Sequence, residues 1–190
     1  MTGAALLSKA LAQRLESKGI TEANVADEVV HCINEAIGQS RAISRGLYPA
    51  ELSMVGLAGG LREFAAETTK RSGIPCRLQA DKGVQISDAS VALHLFRIVQ
   101  EAVNNAVRHS GARHITISLA RRRDQVLLEV QDDGKGIPAR QRAGGGLGLR
   151  TMKYRADIIG AQFVVKSGGD PGTVVSCLVP SGTSLPKKSG

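Results

Sequence analysis

The sequence predicts an α+β fold, a two-layer α/β sandwich with helices on one face of a mixed β-sheet, preceded by a helical hairpin. Two observations carry this prediction: helix-period apolar runs follow one another at the start of the chain, and later strands are separated only by short turns. The 190 residues suffice for one domain with an appendage. We expect the hairpin over residues 1–48, the sandwich over 49–181 and a disordered tail over 182–190.

The hairpin is predicted from two apolar stripes. Leu7, Leu11 and Leu15 recur at helical spacing, and the next helix carries a heptad seam made of Val29, Ile33, Ala36, Ser40, Ile43 and Leu47. A lone hairpin leaves such a stripe without a partner, so we expect two copies to form a four-helix bundle and the protein to be a homodimer. Packing of both helices on the rest of the same chain is an alternative that the spacing leaves open.

The middle of the chain continues with helices and short strands. Pro49 ends the hairpin, because proline lacks the backbone N–H that a helix needs. The apolar spacing then predicts a helix over Glu51–Arg71, strands over Cys76–Leu78 and Val84–Ile86 around a glycine turn, and a helix over Asp88–His109. Asp88 would cap this last helix and Gly111 would end it.

The second half predicts paired strands around one more helix. The elements are strands His114–Ala120 and Val126–Asp132 joined by the turn Arg121–Asp124, a helix near Leu147–Ile159, and strands Gln162–Lys166 and Thr173–Val179. Successive strands with only hairpins between them favour a mixed sheet over an all-parallel one.

Composition and charge limit the possible functions. Hydrophobic residues make up 42% and charged residues 22%, which excludes collagen-like and wholly disordered chains. Three widely separated cysteines without a C-x-x-C pair argue against a disulfide scaffold or zinc site and for a reducing, cytoplasmic location; whether the parent protein is membrane-anchored stays open. The net charge of +8 indicates that the protein binds an anionic partner.

The helix Asp88–His109 carries a polar line beside its apolar stripe. Glu101, Asn105 and Arg108 follow at i, i+4 and i+7 and so share one face of an α-helix. A carboxamide oxygen can ligate a hard cation, a carboxylate can order or deprotonate a nucleophile, and a guanidinium binds phosphate. A solvated helix face without function is the alternative.

Asp132 is a second candidate. It shares the parity of Val126, Leu128 and Val130, so its carboxylate points to the core-facing side of the strand. A buried carboxylate must be hydrogen-bonded, and beside a glycine bend it can accept a bond from an amine such as that of adenine. A plain tight turn remains possible, whereas an EF-hand loop is excluded because its spaced acidic residues are missing.

The glycine-rich segment Gly144–Leu149 opens a predicted helix. Free backbone N–H groups and the helix dipole make such a segment suited to phosphate binding. It is not a Walker A motif, because no Gly-Lys-Ser/Thr follows. A flexible linker of small residues is the alternative.

These motifs, in this order, resemble those of the GHKL ATPase superfamily of gyrases, chaperones, histidine kinases and mismatch-repair proteins. Phe96–His109 resembles the N box, Asp132–Gly136 the G1 box, Gly144–Leu149 the G2 box and Gly172-Thr173 the closing G-T motif. Gly148–Met152 is most similar to bacterial two-component sensor histidine kinases paired with NarL-type regulators. The resemblance implies a Bergerat-type ATP-binding fold.

The resemblance also implies roles for individual residues. Asn105 would bind Mg²⁺, Glu101 would be the catalytic acidic residue that assists phosphotransfer, and Asp132 would bind the adenine amine. The other ATP-binding residues that it implies are Arg108, His109, Gly134, Gly136, Ile137, Gly146, Leu147, Gly148, Leu149 and Thr173. The segment Pro138–Ala143 would form a short nucleotide lid.

One family motif is missing. Histidine kinases carry the phosphoacceptor in an H-D motif on the first bundle helix, and this sequence has no such motif. Thr2–Leu7 resembles the stretch just after it, so we expect that the acceptor histidine is absent from this chain. His31 has no acidic neighbour of that kind, and we interpret it as a bundle-surface histidine.

The leading hypothesis is the ATP- and magnesium-binding catalytic part of a sensor histidine kinase, whose partner would be a response regulator. An anti-sigma-factor-type serine kinase of the same superfamily is less favoured because of the heptad hairpin. A basic nucleic-acid-binding module is the third possibility. Two tyrosines and three phenylalanines offer few rings for base stacking, so we expect no direct binding of nucleic acid.

Overall fold

The computed structural model describes residues 50–137, 146–167 and 172–180, so the predicted hairpin over 1–48 and the predicted tail lie outside the described residues. The elements in chain order are helix α1 (Ala50–Ser72), strand β1 (Cys76–Ala80), helix α2 (Ala89–Asn105), a π-helical turn (Ala106–Ser110), strands β2 (Ile115–Arg122) and β3 (Gln125–Asp132), helix α3 (Leu147–Ile158), and strands β4 (Gln162–Ser167) and β5 (Thr173–Pro180).

The strands form one five-stranded sheet in the order β1-β2-β3-β5-β4. β1 is parallel to β2, and the other neighbouring pairs are antiparallel, which confirms the predicted mixed sheet. Alternate residues such as Ile117 and Leu128 are buried under the helices, while Ser118 and Glu129 on the opposite face stay partly exposed. This alternation is that of a sheet with helices on one face, as predicted.

Helix α1 packs on this face through an apolar stripe. Leu57, Leu61 and Ala65 are buried, and the rings of Phe64 and Phe96 meet edge to face with centroids 5.8 Å apart. A break at Gly56, where φ is 68°, precedes the stripe. Because glycine has no Cβ, it adopts this left-handed conformation without steric cost.

Helix α2 is bounded as the sequence predicts. The Oδ1 atom of Asp88 accepts hydrogen bonds from the N–H groups of Ser90 at 2.8 Å and Val91 at 3.1 Å, an N-cap arrangement. Gly111 follows the π-helical turn in a left-handed conformation, with φ at 66°. The predicted inward residues of this helix are all buried: Leu95, Val99, Ala102, Val103 and Ala106.

Two local predictions were wrong. Val84–Ile86 is not a strand: β1 lies at the edge of the sheet, and its described neighbour, β2, runs parallel to it. The chain must therefore cross over through α2, and Val84 and Ile86 pack against the core instead of pairing. The β2–β3 turn is also shorter than predicted: Arg122 pairs with Gln125, which leaves two turn residues, and Arg123 takes a positive φ of 53°.

Candidate functional site

The polar line on α2 is held by one side-chain hydrogen bond. The Nδ2 amide of Asn105 donates to Oε1 of Glu101 at 3.2 Å, and both residues are half-buried. With its donor end on Glu101, the carboxamide has its Oδ1 oxygen as the end that can ligate a cation. Carboxamide and carboxylate oxygens are ligands that Mg²⁺ accepts.

The α-helical period stops at the end of this pair. From Ala106 to Ser110 the backbone is π-helical, so the i, i+7 alignment of Arg108 with Glu101 does not follow from the α-helical period. Arg108 and His109 are both exposed on this turn. Exposed guanidinium and imidazole groups on the turn that follows Asn105 suit contact with an anion.

Asp132 lies at the end of β3 with its carboxylate buried. The residue is 6% exposed, and its Oδ1 accepts a hydrogen bond from the N–H of Gly134 at 2.9 Å. Thr173, also 6% exposed, lies directly opposite it on β5. A buried carboxylate with one oxygen engaged by its own turn keeps the second oxygen as an acceptor for an N–H donor on a ligand.

Gly134 is packed so closely that it has no room for a side chain. A Cβ there would overlap the carbonyl oxygen of Ser110 and lie 2.6 Å from its Oγ. The N–H of Lys135 donates to the same Ser110 carbonyl at 2.9 Å. The Asp132–Gly136 segment is therefore held against the π-helical turn that follows α2. This contact places the C-terminal end of β3 next to that turn.

Gly172 closes the same region from the other side. A Cβ at this position would overlap the backbone oxygen of Asp132, and φ is 151°. Because glycine has no Cβ, it can adopt this φ and also lie this close to the Asp132 backbone oxygen. Gly136, with φ at 74°, makes the corresponding bend after Asp132, and Ile137 next to it is half-buried.

The N-terminus of α3 lies against the Glu101–Asn105 pair. Gly146 has a φ of −58° and precedes the helix, and a Cβ on Gly148 would overlap Oε1 of Glu101. Leu149 packs against the core, whereas nothing is described of the Leu147 side chain. The helix N-terminus therefore lies beside the Glu101–Asn105 pair. The predicted lid, Pro138–Ala143, lies outside the described residues.

Magnesium fits this arrangement only together with a ligand. Within the described residues no group of three His, Cys, Asp or Glu side chains could hold a metal. Mg²⁺ is usually bound through one or two side chains, water and substrate phosphates, and Asn105 with Glu101 supplies that partial set.

Three residues of this region were not predicted as site residues. Ser110 is the first, and its side chain makes two hydrogen bonds near the π-helical turn. Its Oγ donates to the Ala106 carbonyl at 2.7 Å and accepts from the Ala112 N–H at 3.0 Å. Asp133 and His114 are the other two, and Oδ2 of Asp133 lies 2.9 Å from Nδ1 of His114. The sequence carries no signal for Asp133, because the strand alternation that buries Asp132 places the next residue on the exposed side.

The known proteins to which this chain is similar include two that match it over about 150 residues. The chain is 38% identical over 152 residues to the sensor histidine kinase LiaS of Bacillus subtilis, covering 80% of this chain and 42% of that protein. It is 32% identical over 148 residues to the sensor protein VraS of Staphylococcus haemolyticus, covering 78% of this chain and 42% of that protein. The chain therefore spans about two fifths of the length of these relatives.

Solved structures share the fold. The histidine kinase domain of the blue-light-activated histidine kinase from Erythrobacter litoralis EL346 superimposes with a TM-score of 0.62 at 21% identity, over 93% of this chain and 94% of that one. The ATP-binding domain of PrrB from Mycobacterium tuberculosis gives a TM-score of 0.56 at 20% identity, over 67% of this chain and 95% of that one.

Among the described residues, no helix has the length and apolar character of a membrane span.

The family comparison covers the region built above, from the start of α2 through β5. Residues 90–183 match the family described as histidine kinase-, DNA gyrase B- and HSP90-like ATPases, and this part of the chain belongs to that family.

Proposed function

We propose that this chain is the ATP- and magnesium-binding catalytic part of a sensor histidine kinase. The observation that carries the proposal is the buried carboxylate of Asp132 at the end of β3, fastened through Gly134 and Lys135 to the turn that ends α2. Family membership supplies ATP as the ligand. Asp132 would accept a hydrogen bond from the adenine amine, and the opposing Thr173 would support it.

The phosphate end of the nucleotide would lie between α2 and α3. Asn105 would hold Mg²⁺ through Oδ1, and the backbone of Gly146–Leu149, with Arg108 and His109, would contact phosphate oxygens. When bound, Mg²⁺ would neutralise phosphate charge. Glu101 would accept the proton of the attacking imidazole as the γ-phosphoryl group moves to nitrogen and ADP leaves.

The reaction needs an acceptor that this chain does not supply. We propose that the γ-phosphoryl group goes to a histidine of an H-D motif and then to an aspartate of a response regulator. The protein would act in the cytoplasm, and the predicted hairpin would form the contact between the two copies of a homodimer. The hairpin proposal rests on the heptad seam of residues 29–47 alone.

Incubation of the purified chain with γ-labelled ATP tests the proposed reaction. The chain alone should incorporate no acid-labile phosphate, and addition of the H-D-containing bundle domain of a relative should yield acid-labile, base-stable label on that domain. Label on His31 of this chain would contradict the missing-acceptor interpretation. Acid-stable label on an added serine substrate would instead support the serine-kinase alternative.

A further inference from the structure

The exposed carboxylate of Asp133 accepts three hydrogen bonds. Its Oδ1 accepts from the backbone N–H of Arg113 at 2.7 Å and from that of His114 at 2.8 Å. Its Oδ2 lies 2.9 Å from Nδ1 of His114. Since an ionised carboxylate only accepts, Nδ1 carries the proton in this contact.

These contacts join the end of β3 to the residue before β2. The regular ladder ends where Ile115 pairs with Asp132, and the Asp133 N–H adds a long bond of 3.4 Å to the His114 carbonyl. The Asp133 side chain thus continues the strand pairing past the point where the backbone ladder weakens. It ties down the residue that directly follows Asp132.

The Asp132–Gly134 turn is consequently held on both sides. Asp133 fastens it to the start of β2, and Lys135 with Gly134 fastens it to Ser110 on the π-helical turn. Between these anchors the Asp132 carboxylate points into the protein and is engaged by Gly134. A hydrogen bond to a ligand amine depends on distance and angle, so freedom in this turn would weaken the contact.

We propose that Asp133 is a positioning residue for nucleotide recognition, which fixes the Asp132 carboxylate in the orientation that accepts a bond from the adenine amine. The inference rests on the proposed function, since it takes Asp132 as the residue that recognises the base. Asp133 itself makes no contact with the nucleotide in this account. Its effect reaches the ligand only through the turn that it anchors.

Adenine recognition gives a readout that a general structural role would not change. ATP and ITP differ at the six-position of the purine, where ITP has a carbonyl instead of the amine. Dissociation constants of both, measured by competition with a fluorescent nucleotide on the full chain, separate base recognition from phosphate binding. The wild-type chain should prefer ATP.

In Asp133→Ala, all three bonds are lost. We expect the dissociation constant for ATP to rise about tenfold, the range for lost hydrogen bonds to a charged group, and that for ITP to stay within about twofold. Asp133→Asn keeps an acceptor for the two backbone N–H groups and should restore most of the ATP preference. An unchanged preference in Asp133→Ala, or an equal loss for both nucleotides, would overturn the proposal.

His114→Ala provides a milder test that leaves the backbone bonds in place. It should weaken ATP binding about threefold, with a melting temperature close to that of the wild-type chain, because one exposed side-chain contact contributes little to stability. If Asp133→Ala does not fold, an unchanged ATP preference in His114→Ala overturns the proposal. Absence of ATP binding by the wild-type chain would instead contradict the proposed function itself.

Discussion

Gly148, in the first turn of α3, lies directly against the carboxylate of Glu101 on α2. A Cβ on Gly148 would overlap Oε1 of Glu101 and lie 3.1 Å from Nδ2 of Asn105. The same Oε1 accepts the hydrogen bond from Asn105. The glycine at this position therefore allows the helix N-terminus to approach the two residues that we expect to hold magnesium and assist transfer.

Gly148→Ala should disturb the site more than the fold. Oε1 is the far end of a side chain that can rotate, so the added methyl group displaces Glu101 from Asn105 at small cost to folding. We expect the dissociation constant of ATP to rise about tenfold, since hydrogen bonds to charged groups contribute about 1.5–3 kcal/mol. Nucleotide titration beside thermal unfolding checks this, and a large loss of stability with unchanged binding would contradict it.

Gly134→Ala should behave in the opposite way. The new Cβ would overlap the Ser110 backbone carbonyl, which cannot rotate away, so we expect a loss of about 1–3 kcal/mol in the free energy of unfolding. Gly146→Ala is the matched control for stability, because Gly146 has a negative φ and nothing lies within 4 Å of its added Cβ. Urea unfolding of both variants compares them, and equal midpoints would show that the close packing is absent.

The Asp133 contacts should leave a signature in acid. Backbone and side-chain hydrogen bonds from His114, with the Arg113 N–H, lower the pKa of Asp133 from 3.8 to about 2. A depressed pKa in the folded state means that the stabilisation is present above about pH 4 and is lost as the pH falls toward about 2. The difference in melting temperature between the wild-type chain and Asp133→Asn should therefore shrink as the pH falls below about 4. A difference that grows as the pH falls below about 4 would contradict this sign.

The two described cysteines should be unreactive in the folded protein. Burial raises the pKa of Cys76 to about 11 and that of Cys177 to about 12, so the reactive thiolate is scarce at neutral pH. Alkylation with iodoacetamide at pH 7.5, mapped by mass spectrometry, should leave both unmodified until denaturant is added. Rapid native labelling of Cys177 would show that β5 opens locally.

Much of the fold could be predicted because its signals are local. The Asp88 cap, the Gly111 stop and the parity that buries Asp132 all follow from neighbouring residues, and the structure has each of them. The alternation of Val84–Ile86 suits a strand, but the segment lies in the connection between β1 and α2, where Val84 and Ile86 pack against the core without pairing.

The site was harder to predict where it depends on tertiary contacts. The π-helical turn has no sequence pattern of its own. Its residue Ser110 donates a hydrogen bond to the Ala106 carbonyl and packs against Gly134, which follows β3. Asp133 was overlooked because an exposed carboxylate carries no burial signal, and its three bonds come from residues nineteen and twenty positions earlier in the chain. Such contacts can be seen only once the β2–β3 register is known.

Titration of a non-hydrolysable ATP analogue into the full chain, with and without Mg²⁺, tests the central claim most directly. We predict saturable one-to-one binding that Mg²⁺ strengthens, loss of most affinity in Asp132→Asn, and loss of the magnesium effect in Asn105→Asp. Both replacements preserve side-chain size, so their melting temperatures serve as the control for folding. Binding that is absent in the wild-type chain, or unchanged in both variants, would contradict the assignment of this surface as the nucleotide site.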